Sequence, residues 1–424
     1  MKNVQSADAI FRAGQIVTCA PGLQQRKGRQ MSGVGAVRDG ALAIKNGLIA
    51  AVGAADEVLK EWNGTLWEFP DCCIAPGLVD CHTHPIFAGS RVDEFELRAK
   101  GASYEEIHAA GGGINSTVQA TRQTDTAALK ALTRRNLRCA LLHGTTTLEA
   151  KSGYGLNFEE EIRELRILRE LDQELSMDIM TTFLGAHAVP PEFAGKSNEF
   201  LKMLSDRVLP VIKMDNLADF VDIFCEKGVF DLEESVNFLE AAAGWGFKLR
   251  AHTEEFHHLG SAVKIAGMGA VSVDHLLALG EGDMELLKRS NAVCTLMPST
   301  SFFLGGGKYA PGRQMIDAGL CVALGSDFNA GSTMSISMQM AMSLAVLYLH
   351  FTPEEALIAA TVNSAHSLGM AAKVGSLEIG KQADFLVVDV PDYREWPYRF
   401  GANMVSKVFK KGIEAIGNTL WMRR

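Results

Sequence analysis

The stretch PGLVDCHTHP, residues 76–85, places two histidines directly after a short apolar run. Side chains alternate along a strand, so His82 and His84 face one side while Cys81 and Thr83 face the other. The two imidazoles can therefore bind one metal ion, form a catalytic base with its partner, or serve as ordinary polar residues at a strand end. The stretch predicts a buried strand followed by two imidazole side chains that could bind a metal ion or transfer protons.

Seven further apolar segments of strand length follow, and they alternate with segments of helical length. The clearest helical segments are FEEEIRELRILRELDQELS, residues 158–176, and LEESVNFLEAAAGWG, residues 232–246. This alternation is typical of βα units around a parallel sheet, and eight strands suit a closed (β/α)8 TIM-like barrel. The rival is an open doubly wound sheet, but the chain has no GxGxxG turn after the first strand.

The two ends of the chain share a different texture of short alternating segments separated by glycine and polar turns. NGLIAAVG, residues 46–53, and KKGIEAIGN, residues 410–418, resemble each other as arms of hairpins. We therefore predict a composite β-sandwich domain from residues 1–72 and 374–424. Residues 73–373 form the predicted α/β barrel.

Bulk properties exclude several classes of function. The chain has 424 residues and a formal net charge of −9, and it carries no block of Lys or Arg, so nucleic acid and anionic membranes are unlikely partners. The N-terminus lacks the pattern of a secretory signal, and the eight cysteines include no CxxC pair. We expect a reduced protein in the cytoplasm that acts on a small molecule.

The strand-like segments end in polar residues that can act as ligands, acids or bases. In a barrel, these residues would form a ring on one rim. The best further metal ligands are His252 and Asp327, because three imidazoles and one carboxylate suit Zn²⁺ or Fe and leave a position for water. The residues of this ring are His82, His84, Glu149, Lys151, His187, Glu226, His252, Glu255, His275 and Asp327.

Four motifs in a fixed order resemble the amidohydrolase superfamily: PGLVDCHTH (76–84), AHTEE (251–255), VDHL (273–276) and LGSDFNAG (324–331). The segments at 84–114, 145–156 and 183–193 resemble the imidazolonepropionases, a family within it. The resemblance implies that water opens the cyclic amide of 4-imidazolone-5-propanoate to give N-formimino-L-glutamate, in histidine degradation. It also suggests a homodimer.

The resemblance further implies one Zn²⁺ or Fe³⁺ ion and two sets of site residues. The metal ligands are His82, His84, His252 and Asp327. The substrate contacts are Arg91, Tyr154, His187, Glu255, Asn329, Gly331 and Ser332. Many amidohydrolases bridge two metals with a carboxylated lysine at the end of the second strand, close to Lys151. This chain resembles a branch with one metal, so we expect Lys151 to be structural or to support the ligands.

The expected roles follow from the chemistry of amide hydrolysis. Asp327 accepts a proton from the attacking water, with His275 hydrogen-bonded to the same water or to the oxyanion. Glu255 recognises the ring nitrogens and shuttles protons, while His187 polarises the carbonyl oxygen as a hydrogen-bond donor.

The loop residues are expected to bind the propanoate tail. The Arg91 guanidinium forms a two-pronged pair with the carboxylate, to which the Tyr154 hydroxyl adds a contact. The alternative for Arg91 is a salt bridge with Asp93 or Glu94. Asn329 and Gly331 either bind substrate or only shape the turn after the eighth strand.

Two other functions remain open at this point. A deaminase of a purine, pyrimidine or triazine ring would share the metal ligands and the ring-recognising glutamate, but a neutral base gives Arg91 and Tyr154 no carboxylate to hold. A non-enzymatic scaffold would have lost its metal, and the complete set of ligands argues against it.

Overall fold

Two sheets organise the computed structural model, which describes residues 4–101 and 112–417. The strands run, in chain order, as β1 Gln5–Val17, β2 Ala36–Lys45, β3 Leu48–Ala54, β4 Trp62–Pro76, β5 Leu78–Asp80, β6 Thr145–Lys151, β7 Asp178–Ala186, β8 Phe220–Cys225, β9 Lys248–Thr253, β10 Ser272–His275, β11 Val293–Leu296, β12 Val322–Leu324, β13 Phe385–Val388, β14 Val405–Lys410 and β15 Ile413–Gly417.

The helices lie between the strands along the chain. The α-helices are α1 Ala55–Glu61, α2 Val92–Ala99, α3 Ile114–Gln123, α4 Thr126–Leu142, α5 Phe158–Glu174, α6 Ser197–Met203, α7 Leu209–Met214, α8 Leu232–Gly244, α9 Ser261–Gly267, α10 Asp283–Leu287, α11 Pro298–Leu304, α12 Gly312–Asp317, α13 Met338–Tyr348, α14 Pro353–Ile358, α15 Ser364–Ser367 and α16 Glu395–Tyr398. Short 3₁₀ turns lie at Gly28–Ser32 and Pro191–Phe193, and π turns at Leu204–Val208 and Ala359–Asn363.

The eight strands β5 to β12 form one parallel sheet in sequential order. Backbone hydrogen bonds close it beyond the strand ends: the amide of His84 donates to the Phe328 carbonyl (2.9 Å), and the amide of Asp327 donates to the His82 carbonyl (2.9 Å). The predicted (β/α)8 barrel is confirmed. Its closure also brings the two histidines of the first barrel strand beside Asp327, which follows the last.

The second sheet has seven strands in the order β15-β14-β13-β4-β1-β2-β3, so both ends of the chain contribute to it as predicted. Strand β4 is nearly continuous with β5, and only Gly77 separates them. A Cβ atom at Gly77 would lie 2.1 Å from Oγ1 of Thr146, so the close passage between the two sheets requires glycine. The boundaries at residues 72–73 and 373–374 remain predictions, and residues 1–3 and 418–424 lie outside the described residues.

The two helices that the sequence indicates most clearly have capped N-termini. The side chain of Asn157 accepts from the amide of Glu160 at the start of α5, and Asp231 forms a capping box with Glu234 at the start of α8. The buried face of α5 packs on the barrel. Within residues 4–101 and 112–417, every helix is too short or too polar to cross a membrane.

Candidate active site

The four predicted metal ligands meet at the rim of the barrel. The Nε2 atoms of His82 and His84 are 3.3 Å apart, and those of His84 and His252 are 3.4 Å apart. Oδ1 of Asp327 lies 3.6 Å from Nε2 of His82 and 3.4 Å from Nε2 of His84. All four side chains are buried. Three segments distant in sequence therefore direct four side-chain atoms to a common centre, and the segment after β5 supplies two of them.

The donor atoms of this cluster fit a metal ion. Ligands at the usual distances from a tetrahedral zinc ion lie about 3.3 to 3.4 Å from one another, close to the separations observed here. Nδ1 of His82 contacts Oδ2 of Asp274 (2.8 Å), and Nδ1 of His252 contacts Oδ1 of Asp222 (3.2 Å). These carboxylates hold the ring protons on Nδ1, so the Nε2 lone pairs of two histidines face inwards, where only a cation makes their proximity favourable.

A network of buried charges lies beneath the cluster. Nζ of Lys151 donates to Oε1 of Glu149 (2.6 Å) and to Oδ2 of Asp222 (2.7 Å), and Nη2 of Arg250 contacts Oδ2 of Asp274 (3.4 Å). Burial alone would lower the pKa of Lys151, but Asp222 and Glu149 outweigh it and raise that pKa. Lys151 is thus a charged ammonium that fixes the support of His252, in agreement with the supporting role expected for it.

Cys81 takes no part in the cluster. Its buried Sγ lies 3.4 Å from the carbonyl oxygen of Leu324 and 3.8 Å from Oγ1 of Thr295, on the opposite side of the strand. The alternation of side chains predicts this packing role correctly.

A cavity of about 470 Å³ opens beside the cluster. It contains every residue predicted to contact substrate, which are Arg91, Tyr154, His187, Glu255, Asn329, Gly331 and Ser332. His84, His252, His275 and Asp327 line the same cavity. The predicted metal centre and the predicted substrate contacts therefore share one space.

His275 and Glu255 lie next to each other on the wall of this cavity. Nδ1 of His275 is 3.8 Å from Oε1 of Glu255, and Nε2 of His275 is buried without a hydrogen-bond partner. Burial lowers the pKa of His275 to about 3, and burial raises the pKa of Glu255 well above its usual range, reinforced by the charge of Asp327. A neutral imidazole and a carboxyl group able to carry a proton therefore stand side by side.

The backbone is strained at His275 and Asp327, which lie at the ends of barrel strands. His275 has a φ of 79° and Asp327 a φ of 51°, in the left-handed region that residues with side chains rarely adopt. Oδ2 of Asp327 accepts a hydrogen bond from Oγ1 of Thr300 (2.6 Å), which leaves Oδ1 directed at the histidines. Strain of this kind persists where the surrounding structure fixes a functional side chain.

Arg91 forms the salt bridge that the sequence offers as the alternative, and its binding of the substrate stays a prediction. Its Nε and Nη2 donate to the two carboxylate oxygens of Glu94 (2.8 and 2.6 Å), so the alternative salt bridge exists. Arg91 nevertheless lines the cavity, and a Cβ atom at Gly331 would lie 1.9 Å from its Nη1. Glycine at 331 therefore leaves room for a guanidinium that Glu94 holds in place.

His187 is held in one tautomer. Its Nδ1 is 3.0 Å from the carbonyl oxygen of Gly153, which only accepts, so Nδ1 carries the proton. Burial, together with the neighbouring His84 and His252, lowers the pKa of His187 well below its usual value, so the ring is neutral. Its Nε2 is then an acceptor. A hydrogen bond from His187 to the substrate carbonyl would need a second proton on the ring, and this expected role stays a prediction.

The turn after the last barrel strand uses the whole amide group of Asn329. Its Oδ1 accepts from the amides of Gly331 (2.8 Å) and Ser332 (2.7 Å), and its Nδ2 donates to Oγ of Ser332 (2.7 Å). Asn329 Nδ2 also lies 3.3 Å from Oδ1 of Asp327. Asn329 therefore shapes the turn, and this turn is part of the cavity wall.

Several residues of the site escape sequence reasoning. Asp222 and Asp274 are acids inside apolar strands, a signal that marks buried polar support but not its partner. Arg98 lines the cavity and follows Arg91 by two helical turns, a spacing that places both on one face of α2. That spacing could have identified Arg98, whereas nothing near Thr300 indicates its contact with Asp327.

Comparison with known proteins agrees with this site. A model of the amidohydrolase family matches residues 229–414. The imidazolonepropionase of Parabacteroides distasonis is 43% identical over 406 residues, covering 95% of this chain and 97% of its own, and that of Geobacillus kaustophilus is 42% identical, covering 95% and 96%. A zinc-bound adenosine deaminase from Xanthomonas campestris shares the fold, with a TM-score of 0.70 at 18% identity over 97% of this chain and 93% of its own.

The likeness to the deaminase shows the fold alone, because its sequence identity is low. The two imidazolonepropionases are similar over almost their whole length and at more than twice that identity. The donor set at the barrel rim and the match to the amidohydrolase family indicate a metal ion. The chain therefore belongs to the imidazolonepropionase family, hydrolases of the amidohydrolase superfamily.

Proposed function

We propose that this cavity is where the chain opens 4-imidazolone-5-propanoate with water to give N-formimino-L-glutamate. The ring C–N bond of the amide breaks, the carbonyl carbon gains the oxygen of water, and the departing nitrogen gains a proton. One observation carries the proposal: the guanidinium of Arg91 lines the same cavity as His84, His252 and Asp327, three of the four proposed metal ligands. The sequence similarity to imidazolonepropionases supports the choice of substrate.

The proposed ligands of one Zn²⁺ or Fe³⁺ ion are His82, His84, His252 and Asp327. When bound, such an ion lowers the pKa of a coordinated water from about 15.7 towards about 7, which supplies hydroxide near neutral pH. The protein contributes the orientation of the imidazoles, through the contacts of Asp274 with His82 and of Asp222 with His252.

The proton transfers are assigned to Asp327 and Glu255, and His275 orients the reacting groups. Asp327 accepts the proton of the attacking water, and the hydrogen bond from Thr300 to its Oδ2 fixes the orientation of its carboxylate. Glu255 delivers a proton to the departing nitrogen, because burial raises its pKa and keeps a proton available. Nε2 of His275, buried and unpaired, orients the attacking water or the developing oxyanion.

Recognition of the substrate is divided between its tail and its ring. Arg91 binds the propanoate with the N–H groups that Glu94 leaves free, and Tyr154, buried in the same wall, adds its hydroxyl. Nε2 of His187 accepts a hydrogen bond from a ring N–H. The turn at Asn329, Gly331 and Ser332 closes the wall beside Arg91.

Turnover of freshly generated 4-imidazolone-5-propanoate tests this function directly. We expect N-formimino-L-glutamate by mass spectrometry and about one Zn or Fe per chain by elemental analysis. Guanine and cytosine serve as comparison substrates, since a deaminase with the same fold would release ammonia from them. Rapid deamination, with no hydrolysis of the imidazolone, would replace the proposal with the alternative.

The homodimer and the location in the cytoplasm remain predictions. Light scattering of the purified protein tests the first, and fractionation of the cells that make it tests the second.

A further inference from the structure

Two glutamates of α5 bind the backbone of the loop that carries Tyr154. The loop spans residues 152–156 and follows β6. The amides of Gly153 and Tyr154 donate to Oε2 of Glu164 (3.0 and 3.4 Å). The amides of Gly155 and Leu156 donate to Oε1 of Glu161 (3.0 and 2.8 Å). Four consecutive amides are thus held by two side chains one helical turn apart.

This arrangement is costly for the fold. Both carboxyl groups are fully buried, and among residues 4–101 and 112–417 neither forms an ion pair with Lys or Arg. Oε2 of Glu161 and Oε1 of Glu164 have no hydrogen-bond partner. Burial raises the pKa of both groups, and the charge of Glu161 raises that of Glu164 further. The fold therefore retains two buried carboxyl groups as the acceptors for four loop amides.

One peptide group connects Glu164 with the active site. The peptide between Gly153 and Tyr154 donates its N–H to Glu164, and its carbonyl oxygen accepts from Nδ1 of His187 (3.0 Å). An acceptor at the N–H end of a peptide strengthens its carbonyl as an acceptor, because hydrogen bonds in a chain polarise one another. Glu164 therefore acts on His187 through a single peptide, without touching the cavity.

The backbone conformation of the loop also allows its close contact with His187. Gly153 has a φ of 120°, a conformation that favours glycine, and a Cβ atom there would lie 3.1 Å from Nδ1 of His187. The ring of His187 stacks on that of the metal ligand His84, with centroids 5.1 Å apart. A small shift of this peptide would therefore change both the tautomer and the position of the imidazole.

We propose that Glu164, assisted by Glu161, is a positioning residue that holds the 152–156 loop so that His187 keeps its proton on Nδ1 and presents a bare Nε2 to the substrate. Glu161 holds the adjoining amides and so keeps Tyr154 in the cavity wall. The identity of the group that Nε2 meets, a ring N–H, rests on the proposed function. The tautomer itself does not.

The test compares Glu164→Gln, Glu164→Asp and Glu164→Leu in the full-length, metal-loaded protein. Glutamine keeps an acceptor at the same distance, aspartate withdraws it by one methylene, and leucine removes it. Nitrogen NMR of ¹⁵N-histidine-labelled protein reports which ring nitrogen is protonated, and the signals missing in His187→Gln identify His187. Glu159→Leu, an exposed position on the same helix, is the matched control.

We expect the Nδ1–H tautomer in the unchanged protein, in Glu164→Gln and in Glu159→Leu, and its partial or complete loss in Glu164→Leu. If the leucine variant does not fold, Glu164→Asp supplies the same comparison. A pure Nδ1–H signal in a folded variant that lacks the acceptor, or that withdraws it, overturns the proposal.

Kinetics separates this inference from the proposed function. A displaced imidazole lowers kcat/KM for 4-imidazolone-5-propanoate by about tenfold to a hundredfold in Glu164→Leu, with recovery in Glu164→Gln. If no form of the protein hydrolyses the imidazolone but the tautomer changes as expected, the proposed function fails while the positioning role stands. If the unchanged protein turns over and Glu164→Leu matches it in both readouts, the positioning role fails alone.

Discussion

The two ends of the cavity are built differently. At the metal end, ring nitrogens project from strand ends and are held by the buried acids Asp222 and Asp274, which are themselves paired with Lys151 and Arg250. At the tail end, Arg91 precedes a short helix and Tyr154 lies on a loop, so both are placed by bonds between neighbouring segments. The metal end is fixed by the barrel, and the tail end by local contacts.

Because of this difference, the two ends tolerate amino-acid substitutions to different degrees. A ligand at the metal end has no substitute, because three strands converge on one point and the supporting charges are already neutralised. At the tail end, Arg91, Tyr154 and Arg98 line the cavity, and in the proposed function all three attract one carboxylate. We therefore expect substitutions at the metal end to cause large losses of bound metal and kcat. Substitutions at the tail end are expected to cause graded changes in KM.

The largest effect is expected from His252→Ala. Removing one of three imidazoles opens the metal centre, and without a bound ion the pKa of water stays near about 15.7, so kcat falls by about three orders of magnitude or more. Elemental analysis of the purified variant, with circular dichroism to verify folding, measures the loss of metal. Full metal content in a folded His252→Ala protein would show that His252 is not a ligand.

Asp222→Asn gives the graded companion to that experiment. It keeps the size of the side chain but weakens the hydrogen bond to Nδ1 of His252, and such supporting bonds contribute about 10- to 100-fold to metal affinity. Competition with a chelator measures this affinity. Asp219→Asn, directly before the same strand, should leave the metal affinity unchanged, because Asp219 accepts from the amide of Thr181.

A smaller and different effect is expected from Arg91→Ala. Loss of a charge-assisted pair costs about 1.5 to 3 kcal/mol, so KM for 4-imidazolone-5-propanoate rises by about 10- to 150-fold while kcat changes little. Arg91→Lys should not restore KM, because an ammonium cannot form the two-pronged pair. An imidazolone without the propanoate tail is the control, since its hydrolysis should be equally slow with and without Arg91. A selective loss for the full substrate supports the comparison between the two ends, and an equal loss for both substrates contradicts it.

The metal end could be predicted from sequence because it depends on periodicity. Strand alternation places His82 and His84 on one face, and the rule that parallel strands gather their carboxyl ends brings His252 and Asp327 to the same rim. What alternation cannot give is the partner of each ring. Asp222 and His252 lie on the paired strands β8 and β9, whereas Asp274 on β10 reaches His82 only after the eight strands have closed into a barrel.

The tail end was less predictable because its residues have competing local partners. The sequence left Arg91 between a carboxylate clamp and a salt bridge with Glu94; the structure shows the salt bridge and places Arg91 in the cavity wall, and the clamp stays a prediction. It also left Asn329 between substrate and turn; the hydrogen bonds to Gly331 and Ser332 show that Asn329 shapes the turn, and its contact with substrate stays a prediction. The proton of His187 depends on a carbonyl group in another loop, which no pattern in the sequence reveals.

The smallest effect is expected from Arg98→Gln, and it tests how the tail end divides its charge. Nη2 of Arg98 donates to the carbonyl oxygen of Gly331 (3.0 Å), so its contact is with the wall behind Arg91. Partly exposed ionic contacts contribute about 1 kcal/mol or less, so we expect KM to rise by about fivefold or less. Arg98→Lys should recover most of this change, and added salt should diminish it, because the remaining contribution is the field of one positive charge. Initial rates at two ionic strengths measure the recovery in Arg98→Lys and the effect of salt.

A KM increase in Arg98→Gln as large as that of Arg91→Ala would make Arg98 the principal ligand of the carboxylate, and Arg91 would then be the residue that supports it.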